Sequence, residues 1–190
     1  MNKKKLLLTL LPILLTACAP TQKDWKGSGH LRIHQDGTAA TNPNNFVSVN
    51  WDEFSNKLLT DKHIKLGIEA SPVHDGGLRI VLPSSLIRPN NHIHKKADSV
   101  LKTITEEMKE RPPLRVKIVG HMTSNKNDQR NQANSLQFAY QAAQKLIGYG
   151  VRSSRIEVEG RGSLDPLVSQ DAPSSKNINR RIEIYLYQLR

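Results

Sequence analysis

"VKIVGHMTSNKNDQRNQ", Val116–Gln132, changes character halfway along. Val116 and Ile118 alternate with Lys117 and run into Gly120, the pattern of a strand with one buried face. From His121 to Gln132 almost every residue is polar, and a helical period takes over beyond it. A polar run between a strand and a helix is either a plain connection or the floor of a pocket, because binding residues concentrate on loops carried by a rigid scaffold. Which of the two it is depends on what surrounds it.

Downstream, Gln129–Gly148 reads as a helix with Leu136, Ala139, Tyr140, Ala143 and Ile147 as its buried stripe, ended by Gly148 and Gly150. Ile156 and Val158 mark a strand that stops at "GRG", and "RRIEIYLYQ" supplies a last strand with Ile182, Ile184 and Leu186 on one face. Upstream, Lys95–Glu110 is the clearest helix: Ala97, Val100, Leu101, Ile104 and Met108 share a face, and Pro112 and Pro113 stop it. Before it, "HIKLGIEASPVHDGGLRIVLP" shows two alternating strands, one with Ile64, Leu66 and Ile68 and the other with Leu78, Ile80 and Leu82, joined by a turn at "HDGG". Phe46–Thr60 reads as a strand and a short helix capped by Asn50 or Asp52. The chain shows no internal repeat. These elements predict an α+β fold: one mixed sheet of about four strands in β-α-β-α-β-β order, helices on one face, and an N-terminal extension.

The chain of 190 residues carries a formal net charge of +11, which predicts attraction to anionic surfaces. Its first residues, "MNKKKLLLTLLPILLTAC", have the lysines, the short apolar run and the small residues of an export signal. The apolar run is too short for a permanent span. "LTAC", Leu15–Cys18, resembles the bacterial lipobox, and Cys18 is the only cysteine. The expectation is a signal peptide over 1–17 and acylation of Cys18; the alternative is an ordinary signal that leaves Cys18 as a spare thiol. Each buried methylene of an acyl chain contributes about 0.8 kcal/mol, so several chains anchor stably. Ala19 is not the aspartate associated with inner-membrane retention, which implies a lipid anchor in the outer membrane with the domain on the periplasmic face. Nucleic acid is excluded as a partner there. Residues 18–45 are expected to be the acylated cysteine and a flexible tether, 46–75 the extension, and 76–190 the main domain. His30 and His34 share a face of any strand formed in the tether, but two histidines without a third ligand do not make a metal site.

Several fragments now coincide. "IVGH" closes a strand at Gly120, Asn131 lies eleven positions later, Gly150 and Val151 follow the second helix, Gly160, Gly162 and Pro166 give G-x-G-x-x-x-P, and "NRRIEI" starts at Asn179. Together they resemble the OmpA-like domain, the peptidoglycan-binding module of outer-membrane porin tails, peptidoglycan-associated lipoproteins and flagellar stator proteins. The resemblance covers residues 76–190. It implies a pocket for the diaminopimelate residue of the wall peptide, whose zwitterionic end requires an anion for its ammonium and a cation for its carboxylate. The family supplies an aspartate in "GHTD" and an arginine closing "L-S-x-x-R", and a guanidinium grips a carboxylate bidentately. This sequence has Thr123 in place of the aspartate, Phe138 in place of the arginine and Asn134 in place of the leucine. Asn131, Ser135, Asn179, Arg180 and Arg181 agree with the family. The implied pocket is therefore Thr123, Asn131, Phe138, Asn179, Arg180 and Arg181, with both charged ends of the clamp replaced. Asp128 and Arg130, in the same loop, offer the two signs from new positions; their ordinary role is that of solvated loop charges.

Catalysis finds no support: the sequence has no G-x-S-x-G elbow, no H-E-x-x-H and no phosphate loop. "GRGSLDP" leads into a proline-bearing loop and is no dinucleotide fingerprint. His92 and His94 mark a helix entry rather than a metal site, and no cofactor is expected. A short, basic lipoprotein with a degenerate domain of this kind is similar to lipoprotein subunits of type IVB secretion machines. That resemblance implies other secretion-system envelope proteins as partners, beside peptidoglycan and the outer-membrane lipid.

Overall fold

The computed structural model describes residues 49–74, 76–123 and 127–189. The expected signal peptide, Cys18, the tether with His30 and His34, and the strand start at Phe46 lie outside the described residues. The elements are α1 (Trp51–Leu58), α2 (Asp61–Lys65), β1 (Glu69–Val73), β2 (Gly77–Pro83), α3 (Asp98–Glu110), β3 (Leu114–His121), α4 (Asp128–Gly148), β4 (Ile156–Gly160), α5 (Ser175–Asn179) and β5 (Arg181–Gln188). They form one five-stranded sheet in the order β1-β2-β5-β3-β4. β5 is antiparallel to both β2 and β3, while β3 and β4 run parallel. A parallel pair needs a crossover, and α4 supplies it.

Side-chain alternation divides the sheet into two faces. Leu78, Ile80, Leu82, Val116, Ile118, Ile182, Ile184 and Leu186 are fully buried against α3 and α4. Each such aliphatic side chain contributes roughly 1.5–3 kcal/mol by leaving water. Val100, Leu101, Ile104 and Met108 of α3 complete the layer as their spacing predicts. α3 is preceded by a 3-10 turn at Lys95–Ala97, where the His94 side chain accepts the Lys96 N–H at 3.0 Å, so His94 is a helix entry. Asn50 caps α1 by accepting the Glu53 N–H at 3.1 Å. Glu107, on the flank of α3, is buried against Arg111 and Lys57, tying α1 to α3.

Two sequence expectations are corrected. The strand expected around Ile64, Leu66 and Ile68 is the helix α2, and the strand lies later, at Glu69–Val73. The reason is local: the Thr60 carbonyl accepts the N–H groups of His63 and Ile64 at 2.8 and 3.1 Å, and the His63 ring donates from Nδ1 to the Leu58 carbonyl at 2.8 Å and bonds the Ser99 hydroxyl through Nε2 at 2.7 Å. Ile64 is left 58% exposed. The four strands expected over residues 76–190 are β2, β3, β4 and β5, and β1 of the extension adds a fifth by pairing with β2. The buried arc of α4 is Asn131, Ser135, Phe138, Ala139, Ala142, Ala143 and Leu146, so Tyr140 and Ile147 stand in solvent.

The phase of α4 follows from backbone contact. Gly120 and Gly160 face each other in the β3–β4 register. A Cβ on Gly120 would lie 2.0 Å from the Ser135 carbonyl oxygen, and one on Gly160 would lie 2.5 Å from the Leu136 nitrogen. Gly162, at φ +51°, donates its N–H to the Ser135 hydroxyl at 2.9 Å. The helix rests directly on two glycines and is hydrogen-bonded to a third. Gly120→Ala must lift α4 off the sheet, and overpacking of this kind costs about 3 kcal/mol or more. Gly148→Ala, with nothing within 4 Å of the new Cβ, changes stability by at most about 1 kcal/mol in the favourable direction. Urea denaturation of the two variants checks both.

Candidate binding site

The expected pocket residues gather at the end of the sheet where β3 stops and β5 starts. His121 is paired with Arg181 in the antiparallel register, so Thr123 and Arg180 leave from the same sheet edge. α4 begins beside them, capped by Asn127, whose side chain accepts the Arg130 N–H at 2.9 Å. Thr123 is buried, and its hydroxyl has no hydrogen-bond partner. Asn131 is fully buried on the first turn of α4.

Phe138 is fully buried, and the Arg180 guanidinium sits 6.0 Å from its ring centroid. The Nη2 of Arg180 donates to the Arg88 carbonyl at 2.8 Å and to Asn91 Oδ1 at 3.4 Å. Asn91, at φ 63°, is itself held to Gln137 of α4 at 3.0 Å. The Nε of Arg180 is buried without a partner. Burial alone pulls the pKa of this guanidinium down, and no carboxylate opposes it. A cation from the start of β5 therefore stands over the ring of Phe138, the residue that replaces the helix arginine of the resemblance.

Asn179 and Arg181 have other work. Asn179 Oδ1 accepts from the N–H groups of Leu167 and Val168, and its Nδ2 donates to the Val168 carbonyl, so it staples the loop after β4. Arg181 points to the opposite face of the sheet, where it is buried against Glu183 at 2.7 Å and donates to the carbonyls of Asn179 and Asp165. Asp128 accepts a hydrogen bond from Ser163 at 2.7 Å, and Arg130 is exposed. The two are not ion-paired to each other.

The face away from the helices carries an open cleft of about 470 Å³ lined by Arg79, Lys117, His121, Arg161, Arg181, Glu183 and Tyr185; of the expected pocket residues, Arg181 is the one that reaches it. Glu183 is its centre. Arg79 reaches the carboxylate at 2.5 Å, Tyr185 donates to it, and the His121 ring lies 3.7 Å away. Burial pushes the Glu183 carboxyl up, but the His121 ring and the Arg79, Tyr185 and Arg181 donors outweigh it and hold the group far below the usual carboxylate range. Lys117 is matched by Glu157 and Glu159, and Arg161 by Glu159 and Asp165. The charges that line this cleft are paired, whereas Arg180 on the other face has no carboxylate. Among the described residues no three His, Cys, Asp or Glu side chains form a metal-ligand set.

The comparisons with known proteins agree with this geometry. Residues 90–180 match the OmpA family. The fold is OmpA-like. The chain is 32% identical over 109 residues to the protein named probable lipoprotein YiaD of Escherichia coli, covering 53% of this chain and 50% of that one. To the peptidoglycan-binding protein ArfA of Mycobacterium tuberculosis it is 32% identical over 85 residues, covering 45% and 26%. The chain thus spans half or less of the length of these curated relatives. In fold, it superposes on the cell wall anchor of the type VI secretion system of Pseudomonas aeruginosa with a TM-score of 0.57 at 16% identity, covering 73% of this chain and 97% of that one. The periplasmic domain of Helicobacter pylori MotB gives 0.53 at 21%, covering 64% and 82%.

The buried Glu183 carboxylate, paired with Arg79 and Arg181, makes the stability of this domain sensitive to pH. Because the folded-state pKa is depressed, the stabilisation is complete above the unfolded-chain value of about 4.3 and is lost as pH falls from there toward the folded value. Glu183→Gln removes that acid-sensitive part and leaves Arg181 buried without its carboxylate, a loss of about 3 kcal/mol at neutral pH. Chemical denaturation at pH 7 and at successively lower pH should show a difference between wild type and variant that narrows on acidification.

Proposed function

We propose that the protein is an outer-membrane lipoprotein on the periplasmic face that binds peptidoglycan through the pocket at the ends of β3 and β5, and that it serves as a non-catalytic envelope subunit of a type IVB secretion system. One observation carries the wall-binding part. Arg180 is held over Phe138 with a buried, unpartnered Nε and no carboxylate beside it. A guanidinium left in that state favours a carboxylate ligand, and wall stem peptides present one. The names of ArfA and of the Pseudomonas cell wall anchor support the same reading.

The pocket differs from the family clamp in sign balance. Thr123 has a hydroxyl where the resemblance calls for an anion, so the ammonium of a zwitterionic ligand finds no counter-charge at that position. We infer that recognition rests on the carboxylate end. The Thr123 hydroxyl, unpartnered and able to donate or accept, suits a neutral amide as well as an ammonium.

The secretion role draws support from a different feature. Leu164, Leu167 and Ile178 are 74%, 54% and 41% exposed along the segment between β4 and β5. Exposed aliphatics on a segment pinned by Asn179 suit a protein-facing patch. The sequence resemblance to lipoprotein subunits of type IVB machines leads us to propose DotK of the Dot/Icm apparatus as the counterpart. The alternative is a general tether that links the outer membrane to the wall without secretion partners.

Co-sedimentation with purified sacculi tests the wall reading. Arg180→Gln should weaken retention about tenfold, in line with loss of a charge-assisted bond. Thr123→Asp should strengthen it severalfold on walls with free amines. Unchanged retention of a folded Arg180→Gln protein contradicts the pocket. Leu164→Asp with Leu167→Asp should spare sacculus retention and abolish cross-links to envelope partners in cells; cross-links that persist contradict the secretion surface.

A further inference from the structure

At the opposite end of β3, roughly 23 Å from His121 along an extended strand, a second group of cations converges. Arg155 donates to the carbonyls of Leu114 at 2.9 Å and Arg111 at 2.8 Å. Arg115 donates to the carbonyls of Pro112 at 2.9 Å and the same Leu114 at 3.1 Å. Two guanidinium nitrogens bound to one oxygen are within about 6 Å of each other, close enough for strong repulsion. Arg152 is exposed on the turn that leads into Arg155, and Lys109 lays its ammonium against Gly150 beside them.

This concentration of charge is not neutralised within the protein. Neither Arg115, Arg152 nor Arg155 pairs with a carboxylate among the described residues. Glu107 holds Arg111 and Lys57, and Glu157 holds Lys117. The Nε atoms of Arg111 and Arg115 are buried without a partner. Burial, then repulsion from Arg115 and Arg152, pushes the Arg155 guanidinium down to about 10. Two partly exposed aliphatics, Ile147 and Leu189, flank the group: the Ile147 carbonyl binds the Gly150 N–H, and Leu189 donates to the Pro113 carbonyl.

We propose that Arg115, Arg152 and Arg155 form a phosphate-binding surface for anionic lipid head groups. Clustered cations supply attraction to the lipid phosphates, and Ile147 and Leu189 meet the acyl boundary beneath them. The domain then presents one pole of β3 to a membrane and the other, with Arg180, to the wall. This site is independent of the wall-binding reading, since it shares no residue with that pocket.

The test uses the chain from residue 18 onward, which contains every described residue, with Cys18→Ser so that acylation contributes nothing. Sedimentation with phosphatidylglycerol vesicles should retain the protein, and pure phosphatidylcholine vesicles should not. Arg152→Glu changes only an exposed side chain and should lower retention at least about tenfold, since each cation near an anionic surface contributes about 1 kcal/mol. Arg155→Gln should lower it too, with circular dichroism to verify the fold, while sacculus binding by Arg152→Glu stays at the wild-type level. Equal retention on both vesicle types, or full retention of Arg152→Glu, overturns the proposal. Thermal stabilisation by inorganic phosphate without vesicle binding also overturns it, in favour of a free-phosphate site.

Discussion

The fold turns on the closeness of α4 to the sheet. Gly120 and Gly160 lie side by side across β3 and β4, and the helix backbone at Ser135 and Leu136 sits where their side chains would be. No other residue type fits there, because any Cβ meets backbone rather than a movable side-chain end. That contact fixes the rotation of α4, and the rotation sends Phe138 inward beneath the start of β5. The position of Arg180, and with it the character of the pocket, follows from a steric constraint some distance from both.

The two faces of the sheet manage charge differently. On the open face, acids and bases are matched around Glu183, which gives stability and a sensitivity to acid. On the helix side, and at the far pole, cations are left without carboxylates: Arg180 in one place, and Arg115, Arg152 and Arg155 in the other. A basic chain whose positive groups were all paired would gain only diffuse attraction to anions. Here Arg115, Arg155 and Arg180 are held by backbone carbonyls, and that pre-organisation turns bulk charge into located binding surfaces.

Much of this was legible in the sequence where one principle acted alone. The alternation of Val116 and Ile118, and of Ile182, Ile184 and Leu186, reported its strands because each has one buried face. The spacing of Val100, Leu101, Ile104 and Met108 reported α3 for the same reason. The phase of α4 was not legible: Ser135, Ala139 and Ala142 are too small to outweigh Tyr140 and Ile147 in a hydrophobic pattern, yet smallness is what the glycine contact requires. α2 was hidden because His63 closes it by a bond to Ser99 on a distant helix. In the pocket, the replaced clamp positions Thr123 and Phe138 could be named from the resemblance, but the placement of Arg180 over Phe138 depends on Arg88 and Asn91, brought near only by the fold. The arginine pole was equally invisible, since its members are scattered from Arg115 to Arg155.

The central claim is that one guanidinium, without an anionic partner for the amine, suffices to hold the wall peptide. Chemical acetylation of the free amines of purified sacculi isolates that claim, because it leaves every stem-peptide carboxylate in place. Binding of the protein to acetylated sacculi should stay within about twofold of binding to untreated ones. A loss of tenfold or more on acetylation would show that the ammonium is gripped after all, and would contradict a pocket built on Arg180 alone.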